Sequence, residues 1–213
     1  MTWPPAPGAA LTGSTVTLLP YTHDDAEDLF HALDDARVWA LLGPRPGSAE
    51  QLADRIAARA RDAVTWVVRL LTPVGGLGAG SVVGSTAFLD VSTYDARLEI
   101  GSTSYSPAVW GTRVNPETKL LLLAYSFDVL GVGRVQLKTD VRNTRSQRAI
   151  ARLGATYEGT LRRYQRRADA TVRDTVLFSI TAEDWPRCRE RLEQRLSGGH
   201  DGAPGTSSWA ATL

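Results

Sequence analysis

The sequence predicts an α/β fold: one domain around a mixed, mostly antiparallel sheet, with a single parallel crossover and helices on both faces. Three observations predict it. Strand-like runs and amphipathic runs follow one another in the order β-α-α-β-β-β-α-β-α-β-β-α. The strands of the first half come close together in the chain, which suits an antiparallel meander. In the middle, strands at 96–106 and 134–141 flank a helix over 116–130, and such a β–α–β passage makes the two strands parallel.

The first strand is "TVTLL" at 15–19. "THDDAEDLFHALDD" follows as a helix, with Thr22 as N-cap, Asp25 three residues on, and Leu29, Phe30 and Leu33 on one face. "SAEQLADRIAARARDA" is a second helix capped by Ser48, with Leu52, Ile56 and Ala60 at helical spacing. "VTWVVRLL" at 64–71 and "SVVGSTAFLDV" are strands joined by the glycine-rich "TPVGGLGAG". That loop is expected as a hairpin turn, since a dinucleotide-binding fingerprint would need a helix after it. "ARLEIGSTSYS" is the next strand; the helix 116–130 ends at Gly131 in the C′ position. After "RVQLKTDV" comes the short helix "NTRSQRAIARLG", with Asn143 as N-cap, Ser146 at N3 and Gly154 as its end. "ATYEGTLRRYQRR" and "TVRDTVLFSIT" make a hairpin, and Thr181 with Asp184 caps a last helix. Residues 1–14 are expected as a flexible arm, 15–197 as the domain and 198–213 as a flexible tail.

The bulk properties narrow the function. With 24 basic and 23 acidic residues the charge is nearly balanced, against the basic excess of a dedicated nucleic-acid binder. Lys119 and Lys138 are the only lysines. Cys188 is the single cysteine, so no internal disulfide is possible, and His23, His31 and His200 show no metal-ligand spacing. The start lacks the pattern of a signal peptide, and no apolar run is long enough to cross a membrane. The expectation is a cytoplasmic protein without a metal, a membrane or a nucleic acid as partner.

The segment "WGTRVNPETK" holds the most suggestive chemistry. Asn115 suits an N-cap, Pro116 suits N1, and Glu117 complements the helix dipole. The first turn of that helix presents free N–H groups at the end of a parallel strand, where they can cradle an anion. The same residues also make a good helix cap anywhere, and at this point both readings stand.

Together "LEIGSTSYSPAVWGT", "TRVNPETKLLLL", "RVQLKTDVRNTRSQRAIARLGATYEGTLRR" and "RDTVLFSITAEDW" resemble the GNAT superfamily of N-acetyltransferases. Within it the chain looks closest to the Rim-type ribosomal-protein N-terminal acetyltransferases. The resemblance spans about 15–196 and implies an acetyl-CoA-dependent transfer to a primary amine, with acetyl-CoA as cosubstrate and a homodimer as a common assembly. It implies that the loop and helix start, Gly111, Thr112, Arg113, Val114, Asn115, Glu117 and Thr118, bind the pyrophosphate of acetyl-CoA. The family's Gln/Arg-x-x-Gly-x-Gly/Ala pattern is replaced here by Trp110, Arg113 and Asn115, so Arg113 either adds a contact to phosphate or lies solvated beside it.

The resemblance also implies that backbone N–H and C=O groups around Ser104 and Tyr105 pair with the pantetheine amides, and that Asn143 either hydrogen-bonds the pantetheine arm or orders the crossover after the strand before it. Ser146 would stand near the thioester sulfur and protonate the departing thiolate, with Tyr164 as another acid. Glu99, which alternates with Leu98 and Ile100 and so faces away from them, takes the place of the general base. Gln165 falls near a position where the Rim-type pattern has a glutamate, which leaves more to Glu99. Trp39, between the first two helices, would wall the acceptor pocket alongside Glu99. No serine–histidine or cysteine–histidine pair is visible, which fits direct attack by the amine. Two other outcomes suit the same residues: a catalytically weak acyl-CoA sensor or scaffold, and transfer of another acyl group such as succinyl. "LRRYQRR" is either a solvated strand face or a rim that attracts an acidic substrate or the adenosine 3′-phosphate.

Overall fold

Along one strand Trp66, Val67 and Val68 are all fully buried, and they belong to two different cores. Side chains alternate across a strand, so a run buried throughout needs cover on both faces of its sheet. The computed structural model describes residues 1–6, 8–59, 63–167 and 169–198 and shows that cover.

In chain order the elements are β1 (Leu11–Thr12), β2 (Val16–Pro20), α1 (Ala26–Leu33), α2 (Ala36–Trp39), α3 (Ala49–Ala57), β3 (Val64–Leu70), β4 (Val82–Ser92), β5 (Arg97–Tyr105), α4 (Val114–Ala124), β6 (Arg134–Asp140), α5 (Thr144–Ala151), β7 (Thr156–Arg166), β8 (Val172–Thr181) and α6 (Trp185–Ser197). The sheet has eight strands in the order β1-β2-β3-β4-β5-β6-β8-β7. Every pair is antiparallel except β5–β6. This is the predicted α/β architecture: a meander, one parallel crossover through α4, and a closing hairpin.

On one face α4, α5 with the turn after it, and α6 bury Leu122, Leu123, Ile150, Leu153 and Leu192 against Val68, Leu98, Ile100 and Val135. On the other, α1 and α3 bury Leu29, Leu33 and Leu52 against Val67 and Val82. The Ser48 cap of α3 and the Asn143 cap of α5 form, accepting from the N–H of Gln51 and Ser146 respectively.

Several expectations are corrected. Residues 1–14 were expected as a loose arm, but Leu11–Thr12 adds a strand to the sheet, Thr2 N–H donates to the Leu130 carbonyl at 2.7 Å, and Met1 and Trp3 pack on the core. The first helix begins as a 3₁₀ turn at His23–Asp25, and a short helix, α2, stands where a loop was expected. The middle helix begins at Val114, not after Asn115, and passes into a π-helical turn at Tyr125–Val129. Thr112 explains the earlier start: its Oγ1 donates to the Val109 carbonyl at 2.7 Å and accepts from Val114 N–H at 3.3 Å, acting as the cap one turn ahead. Pro116 still lies within the first turn, where its missing N–H leaves no bond unmade. The expected tail lies almost wholly outside the described residues.

Candidate active site where two strands part

β5 and β6 pair over three positions only: Arg97 opposite Arg134, Leu98 opposite Val135, Glu99 opposite Gln136. Beyond Glu99, β5 keeps β4 as its neighbour and β6 keeps β8. Among the described residues the facing edges of the parted strands therefore have no ladder partner, and such edges can bind an extended polar chain. Glu99 sits at the apex of the groove.

A bulge sharpens this geometry. Between the pairs Ala87–Gly101 and Ser85–Ser104, β5 carries one extra residue, and Ser102 has φ of 47°. The extra residue reverses the facing of the strand. Glu99 and Gly101 share one face, whereas Thr103 and Tyr105 turn under α4, where Thr103 Oγ1 accepts from Lys119 Nζ at 2.8 Å. Lys119 has no carboxylate partner among the described residues, and burial pushes its pKa down to about 7.

The Glu99 carboxylate is buried and lies 2.7 Å from Lys138 Nζ. Lys138 also donates to Tyr164 Oη at 3.2 Å and stands 5.2 Å from the centre of that ring. Tyr164 reaches it because β7 bulges: the register jumps from Leu161–Thr175 to Gln165–Arg173, Arg163 turns to φ of 52°, and its N–H is held by Asp174 at 2.7 Å. Two residues expected to act on protons are thus joined through a third, Lys138. Burial raises the pKa of Glu99 above the ordinary carboxylate range, with Lys138 opposing it. Burial is the largest single influence on Lys138 and works against its charge, but the hydrogen bond and charge of Glu99 together with the contact to Tyr164 outweigh it and raise its pKa. Gly101 makes room for the carboxylate: a Cβ there would lie 2.6 Å from Glu99 Oε1.

Sequence reasoning missed Lys138. The signal was present, since Gln136, Lys138 and Asp140 alternate onto one face and the parallel register puts that face beside Glu99.

The start of α4 borders a cleft of about 670 Å³, lined by Thr15, Thr72–Gly75 and Trp110–Arg113. Among the described residues no acceptor is found for the N–H groups of Gly111, Arg113 and Asn115, and Gly111 has the positive φ, 79°, that favours glycine. The Arg113 guanidinium donates to the Leu196 carbonyl at 2.6 Å, at the C-terminal end of α6 where a cation is favoured. The start of α5 comes beside this loop: Arg145 stacks 3.7 Å from the centre of the Trp110 ring, and the Trp110 indole N–H donates to the Tyr105 carbonyl at 3.0 Å. Asn143 and Ser146, on either side of Arg145, therefore lie close to the loop, with the Asn143 side chain accepting from Ser146 N–H at 3.0 Å.

Other expected residues lie elsewhere. The Glu117 carboxylate accepts from the N–H groups of Ser14, Thr15 and Val16 and from the Ser14 hydroxyl, at 2.7–3.0 Å, and so ties α4 to the β1–β2 turn. Thr118 and the side chain of Val114 are fully buried, and the Tyr105 ring is packed in the core. Ser104, half-buried, pairs with Ser85 on β4. Trp39 packs with the α1–α3 core and donates to the Leu33 carbonyl at 2.8 Å; the residues after it, Ala40–Gly43, are the ones that line a cavity. Among the described residues no group of His, Cys, Asp and Glu is arranged to hold a metal, and no helix is long and apolar enough to cross a membrane.

Comparison with known proteins adds an independent line. The profile of the GNAT acetyltransferase domain matches residues 15–156. A crystal structure of an acetyltransferase candidate from T. thermophilus is 33% identical and superposes with a TM-score of 0.79, over 92% of this chain and 100% of its own. A GCN5-related N-acetyltransferase from Brucella melitensis, 23% identical, gives 0.82 over 93% of this chain and 92% of its own. The Mycobacterium smegmatis RimJ in complex with CoA-disulfide, 21% identical, gives 0.71 over 89% and 93%. No curated protein matches the chain.

Proposed function

The chain belongs to the GNAT acetyltransferase family, and we propose that it moves the acetyl group of acetyl-CoA onto a primary amine, a protein N-terminus or a small molecule, by direct attack. The observation that carries this reading is the Glu99–Lys138–Tyr164 chain at the apex of the parted strands.

The residues present fit acetyl-CoA. The unpaired N–H groups of Gly111, Arg113 and Asn115 suit its pyrophosphate, as a helix N-terminus suits any anion. The open edge of β5 toward Ser104 suits the amides of its arm, and Asn143 and Ser146 border the same groove. When bound, the thioester supplies an activated acyl carbon. Glu99 then takes the proton that the amine loses as its nitrogen bonds that carbon. Its raised pKa makes it a stronger base than a surface carboxylate, and Lys138 holds it in place. As the carbon–sulfur bond breaks, Tyr164 gives its hydroxyl proton to the leaving sulfur, its oxygen polarised by the Lys138 ammonium. The Ser146 hydroxyl is the second donor available at the start of α5. Glu117 and Thr118 act in this account as structural residues, and the loop binds through its backbone. The protein works in the cytoplasm, and a homodimer is the assembly that the family suggests.

Two measurements test the reading together. Acetyl-CoA binding to the native state raises the melting temperature, and CoA thiol is released in the presence of a suitable amine. No thermal shift at millimolar acetyl-CoA overturns the reading. A clear shift with no thiol release over a broad amine panel favours the sensor role instead.

A further inference from the structure

Beside the Glu99 chain, a small cavity of about 130 Å³ opens between Ala40–Gly43 and the far end of the β7–β8 hairpin. Arg142, Arg166, Arg167 and Arg173 line it, and among the described residues the only carboxylate in its wall is Asp169. The charges do not cancel. Asp140, buried behind the cavity, is 2.7 Å from Arg167 and 3.6 Å from Arg142 and is taken up by them. Asp169 accepts from the N–H and hydroxyl of Thr171. Arg173 and Arg166 have no carboxylate within 4.0 Å among the described residues, and the one side-chain bond of Arg173 is from Nε to Thr175 Oγ1 at 2.9 Å. The fork of Arg173 is thus left with free donors in a partly desolvated place, where burial lowers its pKa. A cation so placed gains most from an anion that it can grip with two parallel hydrogen bonds.

The cavity is joined to the chemistry. Its wall residue Gln165 directly follows Tyr164 and pairs with Arg173. Arg173 stands two residues before Thr175, which pairs with Asp140, and so shares the face that carries Asp140 and Lys138; Glu99 feels its charge. It shares no wall residue with the cleft over Trp110–Arg113, so it is separate from the loop assigned to pyrophosphate.

We propose that Arg173 and Arg166, flanked by Arg142 and Arg167, form the acceptor's anion site, which holds a carboxylate or phosphate of the substrate while its amine reaches Glu99. The site rests on the acyltransferase reading for the identity of its occupant, but not for its existence. It gives a role to the arginine-rich stretch "LRRYQRR": Arg166 and Arg167 face the cavity, and Arg162 and Arg163 do not line it.

The test uses the full chain with saturating CoA, so that the cosubstrate's own phosphate sites are filled. Inorganic phosphate and succinate are titrated against melting temperature, with chloride at equal ionic strength as control. The wild type gains about 3 °C at tenfold above the dissociation constant. R173Q and R166Q lose most of that gain, and the exposed control R162Q keeps it. An equal gain in the wild type and R173Q overturns the site. In the turnover arm, 4-aminobutyrate is compared with its amide, and 2-aminoethyl phosphate with ethanolamine. The anionic member of the reacting pair has a kcat/KM about tenfold higher, and R173Q removes the difference through KM. A neutral member that reacts as well as its anionic partner overturns the acceptor role. Which pair reacts separates carboxylate from phosphate. Failure of the acyltransferase reading looks different: acetyl-CoA gives no thermal shift and no thiol, while the phosphate gain and its loss in R173Q persist.

Discussion

The Glu99 carboxylate and the Lys138 ammonium meet at 2.7 Å across the last position at which β5 and β6 are paired. One strand supplies each charge, and the strands separate immediately beyond them. The pair therefore holds together the apex of the groove while leaving one carboxylate oxygen edge for a third group. Lys138 sets how basic that carboxylate is, since its charge opposes the rise that burial causes.

Replacing Lys138 by Met removes the opposing charge, so the pKa of Glu99 rises further. A base must be ionised to act, and activity is gained as pH climbs through its pKa. The acid limb of kcat/KM against pH therefore moves to higher pH in K138M. An acid limb that stays in place removes Lys138 from this role.

Gly101→Ala tests the room around the carboxylate. A Cβ at this position would sit 2.6 Å from Glu99 Oε1 and 2.8 Å from Leu89 Cδ1, so the carboxylate must shift. Displacement of a catalytic group by about 1 Å costs on the order of a hundredfold in rate. The expected result is that loss in kcat with acetyl-CoA still raising the melting temperature. Wild-type kcat in G101A contradicts the proposed position of the base.

Lys119 gives a stability prediction. Its folded pKa is about 7 and its ordinary value 10.5. Between these values the unfolded chain holds a proton that the folded chain lacks, so stability rises with pH across this window and is lowest below it. Lys119→Met abolishes that slope. Urea unfolding from pH 7 to pH 10 measures it, and parallel curves for the two proteins would exclude a buried neutral lysine.

Glu117→Ala leaves the N–H groups of Thr15 and Val16 without their acceptor in a buried setting, and that of Ser14 in a partly buried one. The cost is about 3 kcal/mol in urea unfolding, from orphaned donors. Acetyl-CoA affinity of the folded variant stays near that of the wild type, because the carboxylate faces the β1–β2 turn. A selective loss of affinity at full stability returns Glu117 to the binding loop.

Local patterns account for what was legible in the sequence. The meander, the parallel crossover and the Ser48 and Asn143 caps each follow from side-chain period or from residues three apart, and all appear in the fold. The facing of Glu99 came from simple alternation with Leu98 and Ile100. What stayed hidden depends on distant segments. Glu117 looked like a helix-dipole residue, and only the fold brings Ser14 to it across 103 positions. Thr112 took the capping role from Asn115 because the 3₁₀ turn at Pro107–Val109 offers it a carbonyl. Lys138 needed the register of β5 against β6, and Tyr164 needed the bulge in β7. The cavity at Arg173 joins three segments whose spacing carries no local signal.

The most direct test is the pH dependence of CoA thiol release by the wild type and by Glu99→Gln, with acetyl-CoA and an amine that the wild type accepts. The account predicts a fall in kcat of about 10²–10⁴-fold in E99Q, loss of the acid limb, and an unchanged thermal shift with acetyl-CoA. Wild-type kcat with the acid limb intact in E99Q contradicts it.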